Sequence, residues 1–198
     1  YQCYKVTYHI FIIYPQIKYC RSANMETFTC WWTSQSGNTT DSMNINYTLT
    51  YTFGPVNECP DYVTGGNNSC FFDSRHTQIW EVYCLNVKAW NTFGSQTSDE
   101  YCLDVADAVE PDPPVNISYK ITNDSFGESG KTVVITWQAP ETADVDIGWL
   151  TLIYELQFRL SSEPEEWKVS GTKLSFKCHK YILLFQVTCH YGGMLLIC

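Results

Sequence analysis

Cysteine and asparagine carry the first chemical signals in this chain. Ten cysteines occur in 198 residues, and six form a block: Cys20, Cys30, Cys59, Cys70, Cys84 and Cys102. An even number separated by short loops suggests disulfides between neighbours, 20–30, 59–70 and 84–102, although other connectivities stay open. Zinc would need paired C-x-x-C or histidine spacings, and the block has none. Five N-x-S/T sequons stand at Asn38, Asn46, Asn67, Asn116 and Asn123. Glycan acceptors and disulfides both belong to oxidising compartments, so a secreted or cell-surface setting is expected.

Catalytic inventories come up short. His9, His76, His179 and His190 are scattered, no G-x-S-x-G elbow occurs, and no Gly-rich phosphate loop follows a strand pattern. Cys178-His179 and Cys189-His190 fit no zinc spacing and read as strand residues with their neighbours. No enzyme, metal or cofactor is expected. A net charge of −9 argues against nucleic acid, which needs clustered Lys and Arg, and leaves room for a basic or neutral protein ligand.

The elements that would position a site are strands. From Ile45 to Phe53 the odd positions are Ile, Tyr, Leu, Tyr and Phe, while Asn46, Thr48, Thr50 and Thr52 face the other way. Such period-two alternation is the mark of a half-buried strand. It repeats from Leu150 to Leu160, at Val133, Ile135 and Trp137, at Tyr83, Leu85 and Val87, and at Tyr181, Leu183, Phe185 and Val187. No segment shows a helical stripe. The predicted fold is all-β, two tandem fibronectin type III-like antiparallel sandwiches. Three prolines in Val109-Glu110-Pro111-Asp112-Pro113-Pro114 stiffen the path and mark a hinge. The expected order is an atypical segment 1–15, a first module 16–109 with all six paired cysteines, a hinge 110–114 and a second module 115–198.

Specific motifs sharpen this reading. Cys20-Arg21-Ser22 through Glu26-Thr27-Phe28-Thr29-Cys30-Trp31-Trp32 resembles the first bridge and Cys-x-Trp signature of class I cytokine receptors. Glu58-Cys59-Pro60-Asp61-Tyr62-Val63 with Asn68-Ser69-Cys70, the Pro111–Pro114 hinge, and Gly148-Trp149-Leu150 through Tyr154-Glu155-Leu156 resemble the growth hormone and prolactin receptor branch. The resemblance runs from about Cys20 to Trp167. It implies an extracellular hormone-binding region that captures a four-helix hormone at the elbow between modules, engages a second receptor copy, and signals through a membrane span and tail outside this chain. Within the branch, a third bridge Cys84–Cys102 is a feature of growth hormone receptors, whereas Asn46–Tyr51 and Val63–Gly66 look at least as much like prolactin receptors. Growth hormone is therefore the expected ligand, with prolactin or a related pituitary hormone as the alternative.

The resemblance also implies the site. Trp80 and Trp149 form its hydrophobic centre, surrounded by Met25, Glu26, Ile79, Val82, Asp107, Asp144 and Val145. A rigid indole buries much area at low entropy cost, which is why tryptophan is enriched at binding hot spots. An isolated tryptophan more often covers the edge of its own module; here both stand in matching family contexts. Met25 replaces a usual arginine and Val82 a usual proline, so charge and guanidinium stacking are lost at the first position. Trp32, Trp137 and Trp167 are read as structural.

Both ends depart from the pattern. Residues 1–14 lack family character, and after Trp167 the motif weakens without a WSxWS-like box. The second module is expected to be C-terminally incomplete, or to use Met194–Ile197 as a poor substitute strand. Cys3, Cys178, Cys189 and Cys198 are then liabilities for mispairing. Fibronectin modules of a structural adhesion protein would explain the sandwiches, but not the three-bridge block, the hinge and the two matched tryptophans together.

Overall fold

The computed structural model describes residues 14–33, 45–92, 94–123, 131–143, 151–160, 163–170, 175–178 and 182–192. The chain divides into two compact units, Tyr1–Val109 and Glu110–Cys198. Both are built from antiparallel strands, and the described residues contain only one other regular element, a single 3-10 turn.

In the first unit, β1 (Ile17–Arg21), β2 (Phe28–Trp32) and β5 (Ser69–Phe72) form a three-stranded sheet in the order β1-β2-β5. The facing sheet runs β4 (Val56–Glu58), β3 (Asn46–Thr52), β6 (Val82–Asn91), with β7 (Gly94–Thr97) and β8 (Tyr101–Asp104) both on the far side of β6. β7 and β8 continue one path along β6, broken at Ser98. There Ser98 N donates to Val87 O at 2.8 Å while its Oγ accepts from Val87 N at 2.9 Å, so the ladder is closed across the break.

Alternation does here what the sequence predicts. Leu49 and Tyr51 of β3, and Tyr83, Leu85 and Val87 of β6, are buried, and Asn46 is exposed. They meet Phe28, Trp32 and Phe72 from the other sheet in one core. Aromatic rings lock the layers together. Phe28 and Phe72 stack at 4.0 Å, and Tyr83 meets their edges at 5.1 and 6.0 Å. Trp32 sits between Tyr47 and Tyr62, buried as its structural role requires.

Among the described residues three disulfides are present, with the neighbour pairing: Cys20–Cys30, Cys59–Cys70 and Cys84–Cys102. Two join residues directly opposite in adjacent strands, β1 to β2 and β6 to β8, with Cα atoms 4.0 Å apart. Cys59–Cys70 differs, because it joins the chain just after β4 to β5 and so links the two sheets through the core. Residues 14 and 15 belong to the packed unit although sequence reading set them apart. The Tyr14 hydroxyl donates to Asp99 Oδ1 at 2.8 Å, and Pro15 is buried.

The second unit pairs β9 (Val115–Asn123), β10 (Lys131–Gln138) and β13 (Ser175–Cys178) in one sheet, and β11 (Thr151–Leu160), β12 (Glu163–Ser170) and β14 (Ile182–Gly192) in another. Among the described residues its core is Val133, Ile135 and Trp137 against Tyr154 and Leu156, with the Trp137 and Tyr154 rings 5.8 Å apart. Of the stretch expected to form a strand, Leu183, Phe185 and Val187 lie in β14, which pairs with β11 from Ile182 to Gly192. Trp167 is half-exposed beneath the Arg159 guanidinium, 4.4 Å from its ring centre. Cys3, Cys198 and Met194–Ile197 lie outside the described residues.

Candidate functional site

Strand register brings three loops of the first unit to one end. Phe28 pairs with Phe72, so the turn before β2 (22–27) and the loop after β5 (73–81) leave side by side. Val82 pairs with Asp104, so the start of β6 lies beside the 3-10 turn Val105–Ala108. Ser22 then ties the two sheets, its N–H donating to Ala108 O at 2.8 Å. Glu26, Ile79, Trp80, Val82 and Asp107 all belong to these segments.

The loop that carries Trp80 is held from beneath. The Tyr83 hydroxyl, rooted in the core, donates to His76 O at 3.0 Å and accepts from Gln78 N at 2.8 Å. Asp73 accepts from Arg75 N, His76 N and, at 2.6 Å, His76 Nδ1. These bonds, the one to His76 Nδ1 foremost, hold the Asp73 carboxyl below the ordinary range for an aspartate. Sequence reading missed this support. Its signal was present in Asp73-Ser74-Arg75-His76-Thr77, an aspartate followed by a polar run able to close a side-chain turn.

On this platform Trp80 is 52% exposed and has φ +72°, in the left-handed region. A large residue held there costs on the order of 1–3 kcal/mol and persists only where the surroundings over-determine it. Half the residue faces solvent, so this conformation does not enclose the indole in the core. Val82, 58% exposed, adds a second apolar side chain, and Ile79 turns inward onto the core. Glu26, Glu81 and Asp107 are exposed at the same end, so an apolar centre stands among carboxylates. That composition is the anatomy of a protein-binding patch, in which aromatic residues anchor and charges at the rim steer.

Met25 corrects an expectation. It is only 4% exposed, with φ +66°, and its N–H donates to Ser22 Oγ at 2.8 Å. Side-chain and backbone bonds fold the turn inward: Ser22 Oγ donates to Thr27 O, and Asn24 Oδ1 accepts from Glu26 N and Thr27 N. Met25 therefore fills space beneath the turn, and Glu26 beside it is exposed. Trp149, Asp144, Val145 and Asn38 lie outside the described residues. Asn46, Asn67 and Asn116 are exposed, and Asn123 ends β9. Among the described residues, the one close grouping of metal-type side chains is Cys84, Glu100 and Cys102; its two sulfurs are bonded to each other, so it is a bridge.

Comparison with known proteins agrees with this architecture. Residues 9–104 match the family model described as erythropoietin receptor, ligand binding, beginning inside the segment 1–15. The prolactin receptor of Meleagris gallopavo is 45% identical over 195 residues, covering 90% of this chain and 22% of that protein. The prolactin receptor of Gallus gallus is 41% identical over the same share. The growth hormone receptor of Gallus gallus is 40% identical over 162 residues, covering 82% of this chain and 26% of that protein. The chain thus spans about a quarter of the length of these relatives.

Proposed function

The chain belongs to the class I cytokine receptor family, a non-enzymatic family, and from that premise we propose that it captures a four-helix pituitary hormone at the loop end built around Trp80. The observation that carries the proposal is the tryptophan itself: half-exposed, in a left-handed backbone conformation, and braced by the Tyr83 hydroxyl. Ile79 sets the depth of the loop, Val82 widens the apolar centre, and Glu26 and Asp107 form the rim. Trp149, Asp144 and Val145 are further hormone contacts by resemblance to the family. A second receptor copy joins the bound hormone, and the region works on the extracellular side of the plasma membrane, where disulfides persist.

Growth hormone is the ligand supported by the Cys84–Cys102 bridge. Prolactin is the second reading, favoured by relatives such as the prolactin receptor of Meleagris gallopavo at 45% identity.

Real-time binding of the chain to immobilised growth hormone and prolactin, beside Trp80→Ala, tests both. A hot-spot indole is worth about 2 kcal/mol or more, so the variant should lose roughly 30-fold or more in affinity. Its unfolding midpoint should stay near that of the parent. Binding to prolactin alone moves the assignment to the second reading. A folded chain that binds neither hormone, or a Trp80→Ala variant that binds as well as the parent, overturns the proposed site.

A further inference from the structure

Asn46 opens the sequon Asn46-Tyr47-Thr48 and is the first residue of β3. Register sets it directly opposite Trp90 of β6. Residues so opposed project from the same face of a sheet, with Cβ atoms about 4.5–5.5 Å apart. That face is the solvent face, since Leu49, Tyr51, Leu85 and Val87 occupy the buried one. Its other members on the two strands are Thr48, Thr50, Thr52, Val82, Cys84, Asn86 and Lys88. Trp90 is the single aromatic side chain among them, it is 43% exposed, and Val82 stands at the far end of the strand. Its Nε1 donates to Thr48 Oγ1 at 3.2 Å, so the sequon's own threonine fixes the polar edge of the indole. The exposed remainder is hydrocarbon ring.

We propose that Asn46 carries an N-linked glycan whose first N-acetylglucosamine packs its apolar face on the Trp90 indole. The modifying step exchanges one bond for another. Asn46 Nδ2 loses a proton and bonds C1 of the sugar, while the bond from C1 to the diphosphate of a lipid-linked oligosaccharide donor breaks and the lipid diphosphate leaves. A lone exposed tryptophan on a sheet is ordinary. An exposed tryptophan paired in register with a sequon asparagine, and tethered to that sequon's hydroxyl, has a specific partner at hand. The sugar covers ring surface that the protein leaves in water and limits the glycan's freedom at its root. Trp90 lies eight residues along β6 from Val82, about 27 Å at strand rise, so the glycan leaves the proposed hormone end clear.

The test uses the full chain secreted from a eukaryotic cell. Peptide mass mapping should find Asn46 occupied. Thermal unfolding is then compared for the parent, Asn46→Gln, Trp90→Thr and the double variant. Loss of the glycan should lower the midpoint by about 4 °C when Trp90 is present and by about 1 °C or less when it is absent. In the parent, nuclear Overhauser contacts should join indole protons to the first sugar ring, a readout that does not depend on any variant folding. An unoccupied Asn46, an equal shift in both backgrounds, or the absence of indole–sugar contacts overturns the inference.

Discussion

The two units solve one problem with different means. Both close a sandwich around aromatic and β-branched side chains, yet the first adds three covalent ties and a dense ring cluster. The described side chains of the second include no disulfide, and among them the core cluster holds five residues with Leu152 packed against it. Cross-links raise the free energy of the unfolded chain, so a module that has them can hold unfavourable local geometry in its folded state. The first unit does so at Met25 and at Trp80, each with a left-handed backbone on a loop at the proposed binding end, and a third left-handed position falls to Asn68, where the cost is smaller. Among the described residues the bulky side chains in that conformation lie in the braced unit, while the second unit has only Asn116 there, a residue type that tolerates it.

The comparison is broken most directly through the cores. Phe72→Ala in the first unit and Trp137→Ala in the second should each cost about 3–5 kcal/mol. Calorimetry should show the second unit unfolded at room temperature in the Trp137 variant while the first keeps its transition. The Phe72 variant should stay folded with a lowered midpoint, because its disulfides still limit the unfolded chain. A single joint transition lost in either variant would mean that the units are not separately supported.

A finer contrast lies among the bridges. Chain entropy assigns each roughly 3 kcal/mol, with slightly more for the longer Cys84–Cys102 loop. Burial reverses that order. Replacing Cys59 and Cys70 by serine places hydroxyls between the sheets, adding about 1–3 kcal/mol for polar atoms left without partners. Urea midpoints should therefore fall furthest for the Cys59/Cys70 pair and least for Cys84/Cys102, where Cys102 is exposed. The opposite order would show that loop length, not the link between sheets, governs stability.

The smallest effect concerns acid. The Asp73 carboxyl titrates below its ordinary value because His76 and the Arg75 and His76 amides stabilise its charged form. A lowered folded value means the support is complete above the unfolded aspartate value of about 3.9 and is lost as pH falls through the folded one. Hydrogen exchange at the Arg75 and His76 amides should accelerate, relative to the intrinsic rate, only at pH values below about 4. Asp73→Asn should remove that dependence. Salt should weaken it, since the group is exposed to solvent.

Much of this was legible before any coordinates. Period two at Ile45–Phe53, Tyr83–Val87, Val133–Trp137 and Leu150–Leu160 located strands and their buried faces, because a pleated backbone sends alternate side chains to opposite sides. Short spacings between cysteines suggested the neighbour pairing. Tertiary structure decided what spacing cannot express. Met25 and Trp80 share a left-handed backbone, yet one is enclosed and the other open, because Ser22 and Asn24 pull the first turn inward while the Tyr83 hydroxyl props the second loop outward. The same holds for Asn46, whose sequon is local but whose neighbour Trp90 lies forty-four residues away and is brought opposite only by register. Local alternation fixes which face a side chain takes; which distant residue shares that face depends on how strands pair, and that is settled by the packing of the whole core.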